Sequence, residues 1–137
     1  MERCIFCAIA AGRAPAEVLF REELAVAFLD YHPASPGHAL VVPRRHFEAL
    51  WEMDEESAAA VARVLVRVAA ALRQALRPDG LTVLQNNGRA AGQEVPHAHF
   101  HLIPRRYGDG LRLARGPQMR PSEPLAEVAR QVREALG

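Results

Sequence analysis

Pro96-His97-Ala98-His99-Phe100-His101-Leu102-Ile103-Pro104 places three of the chain's six histidines at every second position. Apolar residues stand between and after them, which is the period-2 alternation of a half-buried strand. On this reading all three imidazoles leave one face, while Ala98, Phe100 and Leu102 pack the other against the core. Alternate residues of a strand are roughly 6.8 Å apart, so His99 has His97 on one side and His101 on the other, close enough to act together on one small anion. Three explanations compete. The rings could hold a metal, imidazole being the commonest metal ligand. They could be a polar accident on a solvated strand. Or they could carry nucleophilic and acid–base chemistry, which three aligned rings titrating near neutrality favour.

Working outward, the segment is entered through the loop Gly92-Gln93-Glu94, after a turn at Asn86-Asn87-Gly88 and a strand over 81–85. Before that, Pro78-Asp79-Gly80 breaks one long amphipathic helix reaching from the N-cap Asp54 to Arg77. Its apolar stripe is Ala58, Val61, Leu65, Val68, Leu72 and Leu76, and Glu55 and Glu56 fill the first turn. Arg63, Arg67 and Arg73 lie off the stripe and read as a solvated face. A third strand over 38–42, stopped by Pro43, follows a loop containing Pro33 and Pro36. Strands over 18–21 and 24–29 form a hairpin around Glu22-Glu23. Ile5, Phe6 and Ile9 make a short apolar turn that Gly12 and Pro15 end. Downstream, a last helix runs from about Ser122 to Leu136. Hairpins with one long helix inserted predict an α+β fold, an antiparallel sheet with its helices on one face. The whole chain, 1–137, reads as a single domain without internal repeats.

Composition narrows the function. The 137 residues are half apolar, enough for a real core, and the net charge is only +1. All 17 basic residues are arginine, and they form no continuous stripe or tail. Nothing calls for a nucleic-acid polymer or a membrane as partner. No apolar run approaches the ~18 residues of a membrane span, and the start lacks a signal-peptide core, so the cytoplasm is the expected compartment.

Cys4 and Cys7 are the only cysteines. In a cytoplasmic protein a Cys-x-x-Cys is more often metal-binding or redox-active than a structural disulfide. A redox pair is expected after a strand, and no strand can precede residue 4. Zinc suits the pair better, with two further ligands supplied from elsewhere by histidine. Packing as two small hydrophobes is the plain alternative.

His97-Ala-His99-Phe-His101-Leu-Ile matches the pattern His-φ-His-φ-His-φ-φ, with φ apolar. Together with Cys-Ile-Phe-Cys near the start, Pro36-Gly37-His38, Val-Val-Pro-Arg-Arg-His46, Asn86 and Gly92-Gln93, it resembles the histidine triad (HIT) nucleotide-binding proteins. The likeness spans roughly residues 4–107 and looks most like their bacterial, zinc-binding branch. The segment 108–137, where relatives differ, is expected to vary and to end in a helix. The resemblance implies a HIT-like fold: a five-stranded antiparallel sheet, one long helix and shorter N- and C-terminal helices. It also implies a homodimer that joins two such sheets into one.

The same resemblance implies a chemistry. His99 attacks the α-phosphorus of a purine nucleotide substrate and forms a nucleotidyl-histidine that water then cleaves, releasing AMP or GMP from a phosphoramidate, acyl or polyphosphate leaving group. His101 protonates or hydrogen-bonds that group, with Asn86 and Gln93 as neutral phosphate donors, and His38 orients His99. No catalytic metal is required. Ile5, Phe6, Ile9 and Phe28 wall the base, although an ordinary core would use the same residues, and Asp30 takes the ribose hydroxyls or merely opens a turn. Cys4, Cys7, His46 and His97 form a closed, structural zinc site. Glu94 stands where several relatives have Ser or Thr, and a carboxylate there would repel the phosphate, so no contact is carried over to it. Two other functions fit the same residues. One is a nucleotidyl transferase, whose relatives carry Gln in place of the third histidine. The other is a zinc-stabilised purine nucleotide-binding module with incidental activity.

Overall fold

The computed structural model describes residues 4–113 and 124–137. Its elements are α1 (Ile5–Ala10), β1 (Val18–Arg21), β2 (Ala25–Leu29), β3 (Ala39–Pro43), α2 (Glu55–Leu76), β4 (Gly80–Leu84), β5 (Phe100–Arg105) and α3 (Leu125–Leu136), with 3-10 turns at Leu50–Glu52 and Arg89–Ala91. The five strands form one antiparallel sheet in the order β1-β2-β3-β5-β4. No helix among the described residues is long and apolar enough to cross a membrane.

Alternation along the central strands divides the protein into two apolar layers. Ala25, Ala27 and Leu29, with Ala39, Val41 and Leu102, face α2 and α3, whose contribution is Ala60, Val61, Val64, Val68, Ala71, Leu72, Val128, Ala129 and Val132. Val26, Phe28, Leu40 and Val42 face the other way, onto Phe6, Ile9 and Ala10 of α1. The expectation that all helices share one face therefore holds for α2 and α3 and fails for α1. The reason is that β2 and β3 are buried on both sides and need a cover on each.

Helix α2 begins as expected. The Asp54 carboxylate accepts the Ser57 backbone N–H at 2.7 Å, capping an otherwise orphan donor. Its buried stripe keeps Val61, Val68 and Leu72 of the anticipated line, with Leu65 and Leu76 packed at its margin, and adds Ala60, Val64 and Ala71. Arg63, Arg67 and Arg73 are exposed as expected, and two of them have surface partners: Arg63 pairs with Glu22 at 2.9 Å, and Arg67 lies over the Phe20 ring. Gly37 shows why the β2–β3 loop needs glycine. Its φ is +91°, and a Cβ would overlap Leu76 Cδ1 and press Pro104 Cγ at 3.2 Å. The expected start of the last helix at Ser122 lies outside the described residues.

The largest departure concerns the histidine segment. Only Phe100–Arg105 pairs in the ladder, so His97 and His99 precede the strand. The His97 N–H turns back to the Val95 carbonyl, and the Ala98 N–H reaches the Phe47 carbonyl. Ala98 and Leu102 are fully buried, but His97, His99 and His101 are buried as well and Phe100 is only half-buried, so the expected half-buried alternation is lost, because α1 covers the imidazole face.

Candidate active site

Three short stretches meet on the α1 side of the sheet: α1, the β2–β3 loop, and the run from Asn86 to His101. They enclose a cavity of about 600 Å³, whose lining includes Ile5, Phe6, Ile9, Phe28, Asp30, Asn86, Glu94, His99 and His101. Every expected nucleoside-wall residue lines it, as do Asp30, Asn86 and the second and third histidines. Leu40, Val95, Pro15 and Tyr31 also line it and were not foreseen, since nothing in their spacing separates a cavity wall from ordinary core or loop.

Hydrogen bonds assign a tautomer to each imidazole. The Ala34 N–H donates to His38 Nδ1 at 2.9 Å, which leaves the proton of a neutral His38 on Nε2. That Nε2 lies 2.9 Å from His101 Nδ1 and 3.5 Å from Asp30 Oδ2. His38 thus donates to His101 and places the His101 proton on Nε2. His99 Nδ1 donates to the His97 carbonyl at 2.7 Å, so the lone pair of His99 resides on Nε2. The rings of His99 and His101 are 5.0 Å apart, and Phe6 meets His99 edge-on at 5.0 Å.

Burial keeps these rings neutral. Desolvation, with the neighbouring imidazoles adding to it, pushes His38 down to about 3 and His101 to about 4. Desolvation also lowers His99, opposed by its bond to the His97 carbonyl and by the Glu94 charge. Asp30 is raised, by desolvation above all, although its carboxylate accepts the His32 N–H at 2.9 Å. A neutral imidazole with a free Nε2, beside a second offering Nε2–H, can attack an electrophile and stabilise charge developing next to it.

Gln93 departs from its expected place. Its Nε2 donates to the carbonyls of Glu48 (2.7 Å) and Val95 (2.9 Å), and its Oε1 accepts the Gly88 N–H at 2.7 Å. The amide is spent on stapling the loop, and it does not line the cavity. Gly92 at φ +98° completes that turn; a Cβ there would meet Asn86 Nδ2 at 3.5 Å.

His97 points elsewhere than its two companions. Its Nε2–H donates to the Pro43 carbonyl at 2.9 Å, leaving Nδ1 3.3 Å from Cys4 Sγ and 3.5 Å from Cys7 Sγ. His46 Nδ1 is 3.3 Å from Cys7 Sγ. All four ligand atoms lie within 4.8 Å of one another. A tetrahedral zinc with ordinary bond lengths would set S···N edges of about 3.6 Å, so this donor set fits the ion with little adjustment. The idea that three rings act jointly on one anion is therefore corrected: His99 and His101 share the cavity, and His97 faces the thiols.

Fold and site together define a class: a small α+β protein with paired neutral imidazoles in a cavity on one sheet face and a Cys₂His₂ cluster beside them. Within that class the chain belongs to the HIT family, the HIT domain model matching residues 11–108. An uncharacterised HIT-like protein of Methanocaldococcus jannaschii is 45% identical over 107 residues, covering 78% of this chain and 82% of its own. The adenosine 5′-monophosphoramidase of Schizosaccharomyces pombe is 43% identical over 111 residues, covering 79% and 80%. The crystal structure of a zinc-bound histidine triad family protein from Mycobacterium smegmatis matches with a TM-score of 0.87 at 38% identity, covering 98% of this chain and 94% of that one.

Proposed function

We propose that the protein is a nucleotide hydrolase that releases AMP or GMP from phosphoramidate, acyl or polyphosphate leaving groups through a nucleotidyl-histidine on His99. The observation that carries this reading is the orientation of one ring: His99 gives its N–H to the His97 carbonyl and turns an unprotonated Nε2 toward a cavity it shares with His101. Such a nitrogen is a competent nucleophile near pH 7 and a tolerable leaving group, so it divides one displacement into two. The bond from phosphorus to the leaving group breaks as the P–Nε2 bond forms. Water then attacks phosphorus, and the P–Nε2 electron pair returns to His99. One water supplies in total both the proton the departing group takes and the hydroxyl that ends on phosphorus. The Nε2–H of His101 hydrogen-bonds the phosphoryl oxygens or the departing atom, and His38 fixes that proton in place. Asn86 adds a neutral donor.

Ile5, Phe6, Ile9 and Phe28 would hold a purine, and Asp30 the ribose hydroxyls. Cys4, Cys7, His46 and His97 would hold zinc as a closed set, which supplies stability and no reactive position. Thiols that must stay reduced to keep a metal suit the cytoplasm. Strand β4 is a sheet edge with Val83 54% exposed, whereas Arg133 of α3 reaches the Val18 carbonyl at the β1 edge at 2.8 Å, so β4 is the edge that a two-fold homodimer would pair. Sedimentation at micromolar concentration should show twice the 15.1 kDa chain mass, and a monomer would remove the dimer.

The phosphoramidase name of the S. pombe relative supports the hydrolase reading over a nucleotidyl transferase or a binding module. The test is AMP release from AMP phosphoramidate, followed by acid-free mass spectrometry of the quenched enzyme. A nucleotidyl adduct on His99 is expected. No turnover, or an adduct on another histidine, would overturn the mechanism.

A further inference from the structure

The cavity holds a charge pattern that the proposed reaction leaves unused. Among the described residues its lining includes none of the chain's arginines; it carries two carboxylates, Asp30 and Glu94, and one exposed imidazole, His32, beside Asp30. Asp30 lies on the nucleoside side with Phe28. Glu94 stands at the exposed lip. Burial above all holds the Asp30 carboxyl above its ordinary value, the His32 N–H and charge oppose it, and the Glu94 charge adds a smaller push upward.

Beyond the lip a second cleft, of about 720 Å³, adjoins the first, and Gly92 and Glu94 line both. Its further walls carry Glu48, Glu52, Trp51 and Arg89. Phosphorus must sit beside His99 and His101. A group leaving toward the second cleft therefore passes Glu94 first and then meets two more carboxylates against one guanidinium. Each phosphate of a polyphosphate leaving group adds a negative charge with no arginine in the lining of the reaction cavity to receive it. An ammonium at the same place gains from every carboxylate.

We propose that Glu94 selects the leaving group, favouring nucleoside 5′-phosphoramidates whose amine bears a further positive charge over substrates that release a polyphosphate. The inference rests on the hydrolase reading above and narrows its open choice of leaving group. It gives a physical role to the residue that stands where several relatives have Ser or Thr. The carboxylate repels phosphate and, for the same reason, attracts a cationic amine at the exit.

The experiment compares kcat/KM for three substrates sharing one AMP: the phosphoramidate of propylamine, that of 1,3-diaminopropane, whose free amine is protonated, and diadenosine tetraphosphate. Wild type should favour the diaminopropane amide over the propyl amide by about tenfold, a preference that shrinks with added salt. It should turn over the tetraphosphate least. E94Q should bring the ratio of the two amides close to one and raise the tetraphosphate relative to both, and E94D should restore the wild-type order. Equal ratios in wild type and E94Q, or a wild-type preference for the tetraphosphate, would overturn the inference while leaving the hydrolase intact. AMP release from none of the three would overturn the hydrolase reading itself.

Discussion

His97 and His99 stand two residues apart in the same segment and are held in opposite senses. His97 gives its Nε2–H to the Pro43 carbonyl and turns Nδ1 to the two thiols; His99 gives its Nδ1–H to the His97 carbonyl and turns Nε2 to the cavity. The same side chain becomes a metal-binding candidate or a nucleophile candidate according to which ring nitrogen meets a backbone carbonyl. The two regions also touch through one peptide unit, because the carbonyl that orients His99 belongs to His97. The cluster of thiols and imidazoles thus fixes the residue that fixes the nucleophile.

The sharpest way to break this contrast is to remove each ring's partner functions separately. His99→Ala should lower turnover of AMP phosphoramidate by on the order of 10³-fold or more, because it deletes the nucleophile, while AMP affinity by calorimetry stays within about threefold. Survival of most of the activity would place the chemistry elsewhere.

On the other side of the contrast, Cys4→Ser or Cys7→Ser should abolish the one zinc per chain expected from elemental analysis. It should also lower Tm by on the order of 10 °C, with a much smaller change in the initial rate of the folded protein. Zinc retained after both cysteines are replaced would move the metal onto the three histidines and dissolve the division of labour.

His38→Phe tests the next link. It keeps a ring in a fully buried position and removes the donor that sets the His101 tautomer. We expect kcat to fall by about 10- to 100-fold with little change in KM. The His101 ring nitrogens should also lose their single-tautomer signature in ¹⁵N spectra. A drop in KM-controlled affinity alone would make His38 a packing residue.

The smallest effect is on pH dependence. Native His38 and His101 titrate at about 3 and about 4, below their unfolded value near 6.5, so the unfolded chain binds more protons as pH falls. Their contribution to stability is complete above about pH 6.5 and is lost as pH drops from there toward 4 and then 3. Tm should be level at neutral pH and decline through that window, and the decline should be shallower in His38→Phe.

Much of this could be read before any coordinates. The period-2 apolar positions, the Asp54 cap, the 3.6-residue stripe of α2 and the breaks at Pro78–Gly80 are local signals, each arising from a few neighbouring residues, and the five strands and both long helices follow from them. Gathering Cys4, Cys7, His46 and His97, or Phe6, Phe28, Asp30 and His99, joins residues up to 93 positions apart; the motif resemblance foresaw it, and local spacing alone could not.

Gln93 illustrates the limit. As a residue type it is an amide fit to donate to phosphate, and its place in the motif supports that use. Its two donors instead meet the carbonyls of Glu48 and Val95, and the first of these comes from a turn 45 positions away. His97 and His99 show the same limit, since a half-buried strand was read where they neither pair in the ladder nor alternate in burial.

By itself the sequence determined the order and kind of the elements and the set of groups available for chemistry. These depend on residue type and on periodicity along the chain. Tertiary structure alone assigned the work within that set: which imidazole nitrogen is free, which amide is consumed by the backbone, and which carboxylate stands at the lip of the cavity. The reason is that a hydrogen bond is made with whatever carbonyl or N–H the fold brings to about 2.9 Å, and those partners here — Pro43 for His97, Ala34 for His38, Glu48 for Gln93 — carry no mark in the sequence of the residue they will hold.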